Sequence, residues 1–244
     1  MDNASRGPEP SAVETRRLAE RLAVLTPFTG VALEDLARLS RGARHRRLKA
    51  GETLWRSHER ADHFAVVEAG VVQIRQTTSA GDGILLGLFR AGDVVGLSAA
   101  LEGNVFPADA IAMGGGVELV SIRAEALRNV LAHSVAVARA VNLALLEHTA
   151  ALRAKIDIVS AGSVPRRLAA LMSYLIERFG TPIGTDTFFV ELSLSREDIG
   201  QAVSARAETV IRILSRWHKA GWIADRPGGV VITRADMLQR ILRI

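Results

Sequence analysis

The sequence predicts an α+β, multidomain chain built from three successive textures: a β-rich N-terminal half, a long central helix and a compact C-terminal helix pair. Three observations carry this. Short apolar runs separated by glycines fill residues 46–122, and apolar residues then recur every seven positions from Ala138 to Val159. Finally, two short amphipathic segments with one break between them occupy Ser195 to Trp217.

The first 12 residues, MDNASRGPEPSA, are rich in Asn, Gly, Pro and Ser and read as a flexible tail, with no apolar core of the secretory kind. Val13, Leu18, Leu22 and Leu25 follow at helical spacing. A second short helix fits Leu33, Leu36 and Leu39, with Pro27 and Gly30 marking the turn between them. Strand-like runs come next, around Thr53–Trp55, Phe64–Val67, Val71–Arg75, Ile84–Phe89, Val94–Val95, Ala110–Ala112 and Val117–Ile122. This spacing predicts a β-sandwich, roll or barrel. SAGDG (Ser79–Gly83) reads as a hairpin loop.

From Ala124 to Ala161 the chain reads as one helical block. Ala138, Leu145, Leu152 and Val159 form one heptad position, with Val141 and His148 interleaved. That pattern predicts a seam between two copies of the chain; the alternative is a helix packed on its own domain. SAGSVP (Ser160–Pro165) breaks the helix and reads as a hinge. An amphipathic helix follows from Arg166 to Phe179, then a loop over Gly180–Asp186 and a strand over Thr187–Leu192. The predicted domains are a tail (1–12), a β-rich domain with its N-terminal helices (13–122), a dimerisation helix (123–161) and a C-terminal domain (162–244).

Apolar residues make up 48% of the 244, enough to bury proper cores, and the formal net charge of +5 suits a polyanionic partner. The absence of cysteine excludes disulfides, zinc–thiolate sites and cysteine-held iron–sulfur clusters. No uninterrupted apolar run reaches the 18 residues of a membrane span, so the expectation is a cytoplasmic protein without a membrane partner.

The C-terminal pair carries the chemistry. Ser195 fits an N-cap, with Asp198 in the reciprocal position of a capping box; Asp is shorter than the usual Glu. Ile199, Ala202 and Val203 form the buried side of the first helix. Val210, Ile213, Leu214 and Trp217 form that of the second, which leaves Arg206, Glu208, Thr209 and Arg212 facing out. Two short helices joined by a three-to-four-residue turn match a helix-turn-helix, whose second helix enters the DNA major groove. Arg donates a fork to guanine and Glu accepts from cytosine. AGWIADRPGGVVIT supplies two short strands as a wing. From Ser195 onward nine Arg and Lys stand against five Asp and Glu, which favours a phosphate-facing module.

Together, AGETLW (Ala50–Trp55), VEAGVVQI (Val67–Ile74), FRAGDVVG (Phe89–Gly96) and SREDIGQAVSARAETVIRIL resemble the Crp/Fnr family of bacterial transcription regulators. The resemblance runs from about Leu25 to Ile232. It implies an N-terminal double-stranded β-helix (jelly-roll, cyclic-nucleotide-binding-like) sensor domain, a dimerisation helix and a C-terminal winged helix-turn-helix. The implied protein is a homodimer on a pseudo-palindromic double-stranded DNA operator, with RNA polymerase as a further partner and no enzymatic activity. Glu208 and Arg212 would read bases, while Ser195 and Arg196 would meet phosphates. Ala207 replaces the arginine of the cyclic-AMP-dependent members, which implies an Fnr-like half-site.

In the sensor, the resemblance places an effector pocket at Gly96, Leu97, Ser98, Pro107 and Ala108, with Leu152 and Arg153 from the long helix. Leu97 stands where cyclic-AMP binders have a glutamate, and Pro107-Ala108 where they have Arg-Ser. The expected effector is therefore not cyclic AMP. No Fe–S cluster is expected, a histidine-ligated haem stays open, and no metal site is predicted from the six histidines. An effector-independent regulator controlled by its abundance is the alternative. A cupin-type enzyme built on His63 and Glu68 is a third reading, and it lacks half its motif.

Overall fold

The computed structural model describes residues 11–77 and 83–243. The chain divides into two compact units, residues up to 74 with 88–149, and residues 75–87 with 150–244.

The N-terminal unit opens with α1 (Ala12–Ala23), which starts at the Ser11 cap: Ser11 Oγ accepts from the Glu14 amide at 3.2 Å. The cap makes residue 12 helical, one position earlier than expected; the expected tail before Ser11 lies outside the described residues. α2 (Leu33–Leu39) follows, then β1 (Arg44–Leu48), β2 (Thr53–Trp55), β3 (His63–Ala69), β4 (Val71–Thr77), β5 (Gly83–Arg90) and β6 (Val94–Val95). The short α3 (Leu97–Glu102), absent from the sequence reading, precedes β7 (Asp109–Ala112), β8 (Val117–Arg123) and α4 (Ala124–Leu131). The strands form two four-stranded sheets, ordered β1-β8-β3-β6 and β2-β7-β4-β5, which resolves the sandwich, roll or barrel alternatives. The predicted loop at Ser79–Gly83 falls outside the described residues apart from Gly83, which opens β5.

The first of these sheets is apolar on both faces. Ala65, Val67, Val95, Val117 and Leu119 face the interior with Leu54, Trp55, Phe89 and Phe106. Phe64, Val66, Val94, Val120 and Ile122 face the helices, against Leu18, Leu22, Leu36, Leu39 and Leu127. That two-sided burial is why HFAVVEA reads as a continuous apolar run rather than an alternation.

The single helical block expected over 124–161 is two helices, α4 and α5 (Val135–Ser160). Ser134, 5% exposed, breaks them: its Oγ accepts from the Val137 amide at 3.2 Å and starts a new helix. Val137, Ala140, Val141 and Ala144 of α5 are buried in the core of their own unit.

The C-terminal unit contains α6 (Val164–Phe179), β9 (Gly180–Gly184), β10 (Thr187–Val190), α7 (Arg196–Val203), α8 (Ala207–Lys219), β11 (Ile223–Arg226), β12 (Gly229–Ile232) and α9 (Ala235–Arg243). The stretch expected as a loop from Gly180 is a strand. β9 lies at the edge of the sheet β11-β12-β10-β9, where Pro182 breaks no inner ladder, and its Gly and Pro content disguised it. α9 was also unforeseen; it packs on α6 and buries Leu238.

Candidate nucleic-acid interface

α7 starts with a complete capping box. Asp198 N–H donates to Ser195 Oγ at 3.0 Å, and Ser195 N–H donates to Asp198 Oδ2 at 3.0 Å. The shorter Asp suffices because Ser195 Oγ also donates to the same carboxylate oxygen at 2.7 Å. Asp198 further accepts from Arg75, in the hairpin limb of the same unit, so this 9%-exposed carboxylate is fully engaged.

The turn between α7 and α8 is built on close approach. A Cβ on Gly200 would meet the Ala205 carbonyl oxygen at 2.6 Å, so only glycine lets the chain fold back there. Ser204 takes the left-handed conformation with φ +50°, and Ala205 N–H donates to Gly200 O at 2.9 Å. Two cations hold the C-terminal carbonyls of α7. Lys155 Nζ donates to Gln201 O at 3.0 Å and Ala202 O at 2.6 Å, while Arg167 Nη1 donates to Val203 O at 2.7 Å. Burial lowers the Lys155 ammonium to about 8. Neither Gly200 nor these two cations was singled out from the sequence. The glycine pairs with a fold-back five residues on, and the cations act across a tertiary contact.

α8 buries Val210, Ile213, Leu214 and Trp217, the four expected residues. Its other side presents Arg206, Glu208 and Arg212 exposed and Thr209 half-buried. Among the described residues, the side chains of Arg206, Glu208 and Arg212 have no hydrogen-bond or ion-pair partner. Glu208 and Arg212 are one turn apart, so both can enter a single groove. Ser195 and Arg196 are exposed at the start of α7, with Arg196 only loosely paired to Asp225 at 4.0 Å. Beside the helices, β11 and β12 form the expected wing, and Arg226 stacks over the Phe189 ring at 4.4 Å.

The predicted effector residues are placed differently. Gly96 (φ +76°) caps α3, and a Cβ there would strike Trp55 at 2.8 Å and Phe106 at 2.9 Å. Those two rings stack, 4.0 Å between centroids and 9° from parallel, and are buried beside Gly96. Leu97 turns away into the core beneath the helices, Ser98 and Pro107 are exposed, and Ala108 is buried. Leu152 and Arg153 are exposed on the part of α5 that belongs to the other unit.

The predicted seam residues are divided as well. Val141 is buried in its own chain, and Ala138, Leu145 and Val159 are half-buried. His148 donates from Nε2 to the Val94 carbonyl at 2.8 Å and packs against Phe89, which makes it a satisfied histidine inside its own unit. The large apolar side chains that α5 exposes are Val135, Leu143, Leu146, Leu152 and Ile156. Of the expected set, only Leu152 is among them.

Two families match this chain. Residues 45–134 match the cyclic nucleotide-binding domain, and residues 166–241 the Crp-like helix-turn-helix domain. The chain is a Crp/Fnr family transcription regulator. Over 216 residues it is 26% identical to the CRP-like cAMP-activated global transcriptional regulator of Mycobacterium tuberculosis, covering 88% of this chain and 96% of that protein. It is 24% identical over 198 residues to the fumarate nitrate reduction regulatory protein of Klebsiella oxytoca, covering 81% and 78%. The structure of FixK2 from Bradyrhizobium japonicum shares the fold, with a TM-score of 0.70 at 20% identity over 82% of this chain and 96% of that one. The Crp/Fnr family comprises regulators, not enzymes, which disposes of the cupin reading.

Proposed function

We propose that the protein is a cytoplasmic homodimer that binds a pseudo-palindromic DNA operator, with Glu208 and Arg212 reading bases and Arg206 and Thr209 flanking them. The observation that carries this is the outward face of α8, where three exposed ionic side chains have no partner within the described residues. Such groups can engage base edges without an internal ion pair first being broken. Ser195 and Arg196, at the N-terminus of α7, meet phosphate. RNA polymerase is the further partner in this reading.

The dimer seam is the exposed side of α5. By length and apolarity this 26-residue helix could cross a membrane, its most apolar window averaging a hydropathy of 1.3. The buried residues Val137, Ala140, Val141 and Ala144 tie one side of it to the roll, and Leu152 and Ile156, one turn apart and exposed, suit a second copy. Two copies would set their recognition helices about 34 Å apart, one helical turn of DNA.

The effector is not cyclic AMP. Trp55 and Phe106 occupy the space beside Gly96, and Pro107-Ala108 offer no cation, so a phosphate there would be buried unpaired at a cost of several kcal/mol. The same packing favours a second reading, in which the roll is a scaffold and abundance alone controls occupancy.

Sedimentation and DNA-binding titration of the purified protein test this. A dimer that prefers TTGA-type over TGTGA half-sites and ignores added cyclic AMP is expected. A stable monomer, or submicromolar cyclic AMP binding by calorimetry, overturns it. Full-affinity binding without any small molecule selects the abundance-controlled reading.

A further inference from the structure

His45, Glu68 and Glu118 are separated by tens of residues but sit on three adjacent strands, in the order β1-β8-β3. Glu118 is registered against Arg47 on β1 and Ala69 on β3. The β3–β8 register slips between Val67 and Ala69, leaving Glu68 as the extra residue of a bulge, a device that re-aims a side chain. The result is one imidazole nitrogen and two carboxylate oxygens within 4.8 Å of one another.

The two separations from His45 are close to those within a coordination shell. His45 Nε2 lies 3.1 Å from Glu68 Oε2 and 3.4 Å from Glu118 Oε2. Bonds of the length zinc makes to nitrogen and oxygen put neighbouring tetrahedral ligands about 3.3–3.5 Å apart. Without an ion, guanidinium groups engage both carboxylates. Arg21 donates to both oxygens of Glu68, at 2.6 and 2.8 Å, and places its Nη2 3.0 Å from the same His45 Nε2. Arg47 Nε holds Glu118 by its other oxygen, Oε1, at 2.9 Å, and Arg21 Nη2 lies 3.6 Å from Glu118 Oε2. Arg21 Nη2 thus neighbours all three ligand atoms, and a cation accepting their lone pairs takes its place when Arg21 withdraws.

We propose that His45, Glu68 and Glu118 form a binding site for a divalent transition-metal ion of the Zn²⁺ class, for which the Arg21 guanidinium is the internal competitor. One nitrogen and two carboxylate oxygens leave a further position open to water or another ligand. Arg21 lies on α1 and its side chain is 34% exposed, so it can withdraw toward solvent. Binding the ion therefore exchanges a link between α1 and the sheet for a metal centre within the sheet.

The test is calorimetric titration of ZnCl2 into the chelator-stripped full-length protein, with circular dichroism on every variant. The wild type is expected to bind one Zn²⁺ per chain. His45→Ala and Glu118→Gln should each weaken binding by about tenfold or more. Arg21→Met should tighten binding by about tenfold, because the competing charge is gone. That gain separates a metal site from a purely structural ion-pair network, which Zn²⁺ would leave unaffected. Absence of binding to both the wild type and Arg21→Met overturns the proposal, as does wild-type affinity in His45→Ala and Glu118→Gln.

Discussion

On α8, Arg206, Glu208 and Arg212 stand in solvent with their hydrogen-bonding capacity unspent, and the apolar side of the same helix is sealed by Val210, Ile213, Leu214 and Trp217. In the roll, the positions expected to meet an effector are spent. Trp55 and Phe106 are 3% and 1% exposed and stacked on each other, and Leu97 is committed to a second core. Both regions follow one family plan. The difference teaches that packing leaves polar groups over on α8, while in the roll it commits the same kind of surface to aromatic and apolar neighbours.

The largest expected effect comes from breaking the packed side of this contrast. Phe106→Ala removes a buried ring from a two-ring stack and should cost about 3–5 kcal/mol of unfolding free energy in urea melts. A loss below about 1 kcal/mol would mean that the roll interior is loosely filled, as a ligand site would be. The unspent side responds in binding rather than stability. Arg212→Ala should cost about 1–3 kcal/mol on the operator and relax preference at one base pair. Arg196→Ala should weaken specific and scrambled DNA alike and lower the salt slope by about 1. Equal behaviour of the two variants on both DNAs would remove the assignment of base and phosphate roles.

Ser195→Ala should cost about 1 kcal/mol of stability by opening the capping box. It should also affect DNA binding, since the same residue is placed at a phosphate.

The smallest effect is a pH dependence. Burial holds His148 below its ordinary pKa of 6.5, outweighing its bond to the Val94 carbonyl. The unfolded chain therefore binds more protons at mildly acid pH. The stability this group contributes is present above 6.5 and is lost as pH falls toward the lower folded value. His148→Gln should flatten that decline in denaturant melts; an unchanged slope would show that His148 is not the group involved.

The helix pair was legible because its signals are local. Ser195 and Asp198 lie three residues apart, and the stripe from Val210 to Trp217 spans two turns. The capping chemistry, the wing and the strand-rich sensor all declare themselves within short windows. β9 and α9 were not legible, the first because Gly and Pro mask an edge strand, the second because its apolar stripe acquires meaning only against α6. The heptad from Ala138 to Val159 located the long helix but not its exposed side. Each of its positions repeats equally well whether it faces a partner or the roll, and only the packing of Val137, Ala140, Val141 and Ala144 decided which face was taken.

The sequence by itself determined the family plan, the helix that exposes Glu208 and Arg212, and the presence of Pro107-Ala108 where the resemblance places Arg-Ser. All of these depend on which residues are present at short spacing. Tertiary structure alone decided that Trp55 and Phe106 stack beside Gly96, and that Gly200 permits the turn before α8. It alone brought His45, Glu68 and Glu118 within 4.8 Å of one another, because strand order and a bulge, not distance along the chain, set which side chains meet.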